Sequence, residues 1–405
     1  MNLGLSPRAE EQRAELLKFM DEWVYPNEAT YFAQIEASGE RHFHPPIMEE
    51  LKAEARRRGL WNMFLPNDDH GTGLTNLEYA HMAEILGRSV FVAPQATNCN
   101  APDTGNMETL HMFATEKQKQ QWLEPLFNGE IRSAFLMTEP DVASSDARNI
   151  RSTIVRDGDH WVLNGRKWWS TNAAGPNCKI AIFMGVSNPD AEPYRQQSMV
   201  LVPFGTPGFE IVRELPVFGH YDGAGGHPEV KLTNVRVPLE NMLGNEGDGF
   251  MIAQARLGPG RIHHCMRLIG MAERAFDLMV LRALDRTPFG KPITEQGLFQ
   301  HWIAQARIKI EQTRLLTLKT AYLMDTVGNK GARMEIAAIK VAAPQMAEWV
   351  LDKAIQTHGA GGFSNDWPLA MMWSHARTLR MADGPDEVHE MSLARREIKR
   401  YLPQT

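Results

Sequence analysis

The stretch STIVRDGDHWVLNG, residues 152–165, reads as two strand-like runs folded around Asp157-Gly158. An Asp-Gly pair between β-favouring, alternating residues is a strong short-range hairpin signal. Working outward, KWWSTN (167–172), KIAIFMGVS, SMVLVPF, FEIVREL and EVKLTNVRVP follow, separated by Gly, Pro and Asn. Strand after strand without helices between them predicts an antiparallel β domain, closed or sandwiched, over 131–245.

On either side the period changes. From 6 to 130 the pattern is helical. AEEQRAELLKFMDEWVYP sets Leu16, Leu17, Met20, Trp23 and Val24 on one face, and PPIMEELKAEARRRGL, LEYAHMAEILGRS and EKQKQQWLEPLFNGE continue the theme. Beyond 246 the spacing predicts helices over 261–285, 296–327, 332–358, 368–380 and 385–400, the long ones joined by short connections as in a bundle. The expected fold is therefore multidomain α+β: an N-terminal helical domain (1–130), a middle β domain (131–245) and a C-terminal four-helix bundle (246–405).

Length and composition exclude several classes. A chain of 405 residues buries a large core, and its net charge of −6 gives no argument for nucleic acid or an anionic membrane. Cys99, Cys178 and Cys265 have no paired spacing, which disfavours a disulfide framework or a zinc site. No apolar run approaches a membrane span, and neither the acidic N-terminus nor the final YLPQT is an address signal. The expectation is a soluble cytoplasmic protein without metal.

Several familiar signals fail. GAGG (223–226) and GAGGF (359–363) do not complete a dinucleotide fingerprint, and neither a Walker A sequence nor a GxSxG elbow occurs. His263 and His264 are adjacent, so they point to different sides of a helix and make poor joint metal ligands. His42 and His44 lie among prolines without a carboxylate or Cys nearby.

Four segments carry more. FLMTEPDVASSDA (135–147) offers Thr138, Ser144, Ser145 and main-chain amides around a Pro: an anion or cofactor cradle, or an ordinary capped loop. GRKWWSTNAA (165–174) puts two tryptophans beside Ser170 and Thr171, which suits either core or a flat heteroaromatic ring whose edge needs hydrogen bonds. DRTPFGKPI (285–293) is a turn that could present Arg286 to a phosphate. MADGPDEVHEMSLARREI (381–398) crowds carboxylates around Gly384-Pro385. With Pro385 at the first helical position, Asp386 and Glu387 fall in the first turn, where the helix dipole favours anions. Asp383 lies before the proline and is either a cap or a base.

Together these segments resemble the acyl-CoA dehydrogenase family, in order and across nearly the full length. TEPDVASSD is similar to that family's flavin loop TEPxxxSD, with one extra residue. GRKWWSTNAA resembles its G-x-K-x-W-I-T-N strand, DRTPFGKPI its R-x-x-FGK turn, and QTHGAGGF (356–363) its Q-x-x-GG-x-G-F helix end. ADGPDEVHEMSLARREI resembles the segment usually written YEGTSxIxxxxxARE. The DGPDEVH form resembles a subgroup whose animal members carry this unit after a kinase-like domain.

The resemblance implies FAD between the β domain and the bundle, in a homotetramer or homodimer whose neighbouring subunit touches the flavin. By position, Phe135, Met137, Thr138 and Ser144 line the flavin and its phosphates. Trp169 packs on the ring and Thr171 bonds its edge. Arg286 and the run Gln356, Gly359, Ala360 serve a neighbour's FAD, and Pro385 and Glu387 also fall at cofactor positions. Ser144, Arg261 and Gly384 fall beside the acyl-CoA. Asp383 takes the place of the catalytic glutamate, one methylene shorter, with Ala382 where Tyr is usual. The position at which some members carry the base instead is Gly260, which cannot serve. The implied reaction is α,β-dehydrogenation of an acyl-CoA, with electrons leaving to an electron-transfer flavoprotein. Two other readings stand beside it: a nitroalkane oxidase-like flavoenzyme, which also uses an Asp base, and a binder of flavin or acyl-CoA that has lost its chemistry.

Overall fold

The computed structural model describes residues 1–65, 70–221 and 225–402, with the main chain alone at Gly258 and Pro259. Gly223 and Ala224 of the GAGG run, and the last three residues of YLPQT, lie outside that set. The chain folds into two compact units. One comprises residues 1–26, 54–97 and 261–405, and the other 27–53 and 98–260.

The second unit is built on the hairpin. β2 (Thr153–Asp157) and β3 (His160–Lys167) pair antiparallel from Thr153↔Asn164 to Asp157↔His160. The two turn residues are thus Gly158 and Asp159, one step later than Asp157-Gly158, with Gly158 at φ 63°. β3 pairs on its other side with β7 (Pro228–Pro238), and β7 with β6 (Phe209–Glu214). β4 (Cys178–Val186) pairs antiparallel with β5 (Gln197–Pro203), which carries the short β8 (Met242–Leu243).

The expectation of a purely antiparallel domain needs correcting. β1 (Arg132–Leu136) runs parallel to β4, and β2 meets β4 in parallel at the single pair Thr153↔Val186. Ala134, Leu136, Ile154, Leu163, Phe183 and Val200 form part of one buried cluster. KWWSTN is also not a strand beyond Lys167. Trp169 at φ 51° and Asn172 at φ 74° are left-handed, which the extended ladder cannot accommodate.

The first unit is helical. In Pro7–Phe19 and the π-helical turn Met20–Val24, Leu16, Phe19, Met20 and Val24 are buried. Leu17, placed on the same face by the sequence, is exposed, because the next inward positions after Leu16 are three and four residues on. Long helices span Gly249–Leu284, Gly297–Gly331 and Arg333–His358, followed by Leu369–Thr378 and Asp386–Lys399. The first starts at 249, not 261: the Gly258-Pro259-Gly260 triplet reads as a break, yet the main chain stays helical through it. In this unit the Arg333–His358 helix packs against Gly297–Gly331, Leu369–Thr378 and Asp386–Lys399. The Asn76–Gly87 helix crosses residues 267–270 so closely that a Cβ on Gly270 would meet the Glu84 carbonyl oxygen at 1.8 Å. Arg314 ties the same helices together, bonding Glu84 and Glu273.

Candidate functional site

Each unit carries its own group of candidate residues. In the β unit, the TEP and GRK segments are fastened to each other. Lys167, fully buried at the end of β3, donates to Glu139 Oε1 (2.8 Å) and to the carbonyls of Met137 (2.9 Å) and Met184 (2.7 Å). Burial pushes its ammonium down to about 8, and the Glu139 carboxylate beside it opposes the fall. Glu139 also accepts from the Arg151 and Ser152 amides, each at 2.9 Å. Ser144 closes the same loop: its hydroxyl accepts from the Glu139 amide at 2.8 Å. The Trp168 amide donates to the Thr138 carbonyl at 3.0 Å, so the two loops run side by side. No motif reading assigns a role to Glu139 or Lys167; a Lys two residues after Gly165, at an inward strand position, is the available signal.

This fastening leaves Trp169 outward. Its ring is 42% exposed, 5.7 Å from His227 and 6.4 Å from Trp168. Thr171 Oγ1 lies 3.0 Å from His227 Nδ1. Trp168 Nε1 and Ser170 Oγ are buried with no hydrogen-bond partner among the described residues. Phe135 and Met137 are half-buried and Thr138 is exposed. An open indole beside buried, unsatisfied polar atoms is what a flat heteroaromatic ring with a hydrogen-bonding edge would use, so these residues fit a flavin.

In the helical unit the centre is the Asp383-Gly384 turn. Asp383 has φ 58° and Gly384 φ 104°. The Asp383 carbonyl accepts from Arg261 Nε (3.1 Å) and His389 Nε2 (3.2 Å), and the Gly384 carbonyl from the buried Lys340 ammonium (3.2 Å). Both peptide planes are therefore fixed, with carbonyls drawn toward these donors. Burial depresses the Arg261, Lys340 and His389 pKa values, that of His389 to about 4, and the Arg261 and Lys340 charges push His389 in the same direction. The Asp383 carboxylate, 16% exposed, lies with Oδ2 3.7 Å from His264 Nε2.

Two expectations about this segment change. Pro385 is the cap position, with extended ψ, so the helix begins at Asp386. No side chain caps it, so Asp383 is not a cap. Asp386 does lie in the first turn, but buried, accepting from Arg380 Nε (2.7 Å) and Gln345 Nε2 (3.0 Å). Glu387 is exposed.

The structure thus groups Asp383 and Gly384 with Arg261 in one unit, and Thr138, Ser144, Trp169 and Thr171 in the other. Arg286, Gln356, Gly359 and Ala360 are on the surface; Arg286 approaches Asp285 at 3.9 Å. His263 and His264 do diverge: His263 packs edge-on to Tyr79 at 4.9 Å, and burial holds it neutral, well below its ordinary range. Among the described residues no cluster could hold a metal, and no helix is long and apolar enough to cross a membrane.

Three comparisons bear on this geometry. Residues 6–130, 134–235 and 247–398 match, in order, the acyl-CoA dehydrogenase N-terminal, middle and C-terminal domains. The Mycobacterium tuberculosis protein named "Probable acyl-CoA dehydrogenase FadE2" is 57% identical, over 99% of this chain and 98% of its own length. Mouse acyl-CoA dehydrogenase family member 11 is 52% identical over 97% of this chain, which spans 51% of that longer protein. The solved "Structure of a putative acyl-CoA dehydrogenase from Mycobacterium abscessus" is 53% identical and superposes with a TM-score of 0.96, over 98% of this chain and 100% of its own.

Proposed function

The chain belongs to the acyl-CoA dehydrogenase family, and on that footing we propose that it converts an acyl-CoA to the trans-2-enoyl-CoA with Asp383 as the base that removes the α-proton. The observation that carries this reading is the Asp383 turn: a carboxylate on a left-handed residue, outside the helix, its main chain held by Arg261, His389 and Lys340.

An α-proton of a thioester is too weakly acidic for a carboxylate alone, so the carbonyl must be polarised as negative charge develops on it. Among the described residues no main-chain carbonyl takes the Asp383 N–H. That amide is this chain's own donor for the thioester oxygen, next to the carboxylate that takes the proton. Arg261 and His389 hold the turn that carries both. When bound, FAD supplies the hydride acceptor for the β-carbon.

Phe135, Met137, Thr138, Ser144, Trp169 and Thr171 would hold that cofactor, and Pro385 and Glu387 also fall at cofactor positions by the resemblance. Arg286, Gln356, Gly359 and Ala360 would reach the FAD of a neighbouring subunit in a homodimer or homotetramer, and Ser144, Arg261 and Gly384 would contact the acyl-CoA. We read the domains as 1–130, 131–245 and 246–405, the protein as cytoplasmic, and its electron acceptor as an electron-transfer flavoprotein.

The test is anaerobic bleaching of the flavin by a panel of acyl-CoAs, wild type against Asp383→Asn. A variant that bleaches as fast as wild type refutes the base. Oxygen uptake with nitroalkanes, in place of bleaching by acyl-CoA, would favour the oxidase reading instead.

A further inference from the structure

Gly260, Arg261, His264 and Arg267 recur at helical spacing along one stripe of the Gly249–Leu284 helix. Arg261 holds the Asp383 main chain, and one turn on His264 stands against the Asp383 side chain. We propose that His264 is the positioning residue of the Asp383 carboxylate, a neutral imidazole presenting Nε2–H to Oδ2. This rests on the reading of Asp383 as the base.

The tautomer follows from donor inventory. Arg267 Nη2 lies 3.3 Å from His264 Nδ1. A guanidinium only donates, so Nδ1 is the acceptor and the ring proton is on Nε2, the nitrogen that faces Asp383. At 3.7 Å the contact is longer than a formed hydrogen bond, as such bonds often are before ligand closes a site. With its lone pair already engaged by Arg267, His264 cannot collect the substrate's proton. Its work is to fix the direction of the carboxylate. A shorter acid has particular use for this, since Asp has fewer torsions with which to seek its target and depends on the surrounding frame. His263 cannot substitute, because it faces Tyr79 and Phe64.

The remaining charged and titratable groups around the turn act differently. Arg261, Lys340 and His389 bond main-chain carbonyls, and Cys265 donates to the Ile339 carbonyl at 3.3 Å. The contact with His264 meets the carboxylate itself and would set its direction.

The experiment is the pH profile of flavin reduction for the holoenzyme and three variants. His264→Leu should lower the rate about tenfold across the profile, since the carboxylate loses the donor that fixes its direction. His264→Gln carries an amide at the reach of Nε2 and should restore most of the rate. His264→Asn reaches only as far as Nδ1 and should not. A His264→Leu enzyme with the wild-type rate across the profile overturns the proposal. Asp383→Asn in the same series separates the two claims. If Asp383→Asn bleaches normally, the base reading falls and the positioning role with it. If Asp383→Asn is inactive while His264→Leu is unmoved, only the positioning role falls. Should His264→Leu fail to fold, 15N shifts of labelled histidine in the wild-type protein decide: a bare Nδ1 and protonated Nε2 support the proposal, and the opposite tautomer or an imidazolium overturns it.

Discussion

His389 Nε2 lies 3.2 Å from the main-chain carbonyl oxygen of Asp383, and its ring is buried. A carbonyl only accepts, so Nε2 carries a proton, and burial leaves the ring neutral. Burial and the charges of Arg261 and Lys340 keep it so down to about pH 4. In the unfolded chain the same imidazole titrates near 6.5. Between these values the unfolded state binds the extra proton, so His389 makes the fold less stable as pH falls from about 6.5 to 4. The loss is on the order of 2–3 kcal/mol. Denaturant melts across that window should show a shallower acid decline for His389→Gln than for wild type; parallel declines would contradict the assignment.

Gly384→Ala tests the same turn from the main chain. At φ 104° a side chain is strained, and its Cβ would lie 2.9 Å from His389 Nε2. The strain is roughly 1–3 kcal/mol. Flavin bleaching should slow far more than thermal stability declines, because the displaced group is the turn that carries Asp383. Near-normal bleaching kinetics would show that the turn geometry is not needed.

Lys167→Met removes the cation that joins the TEP and GRK segments and leaves Glu139 buried without its ion pair. Breaking a buried pair on one side costs about 3–5 kcal/mol. Calorimetry should record the loss, and flavin retention on gel filtration should fall with it. Lys167→Met with Glu139→Gln should recover part of the stability. A double variant no better than the single one would show that the two residues act separately.

Thr171→Val keeps the shape and deletes the hydroxyl that now meets His227 at 3.0 Å. If Thr171 bonds the flavin edge, the flavin absorption bands shift and activity falls, for a deficit of roughly 1–3 kcal/mol. An unchanged spectrum and rate would mean that the residue serves only the β unit.

The α–β–α order was legible because hydrophobic period reports which face is buried, and the hairpin at 152–165 marked the change. What the sequence could not carry was set by non-local contacts. The parallel pairing of β1 with β4 depends on chain reversal through a distant segment. The left-handed turn at Trp169 is imposed from outside its own segment: the Trp168, Ser170 and Asn172 amides donate to Thr138, Pro228 and Gly226. Of the proposed site, Asp383, Trp169 and Thr171 were reachable by motif. Glu139, Lys167, Lys340 and His389 were not, since a buried Lys or neutral His is spelled like an exposed one. Adjacency argues against His263 and His264 as ligands to one metal, and the same divergence sends one ring into the core and the other to Asp383.

The most direct measurement is stopped-flow anaerobic reduction of the FAD-loaded enzyme by an acyl-CoA that bleaches the wild type, repeated with Asp383→Asn. The amide keeps shape and removes the proton acceptor, so cofactor and ligand should still bind. Reduction should slow by about two to four orders of magnitude, the range that a positioned base contributes. Reduction at the wild-type rate would contradict Asp383 as the base.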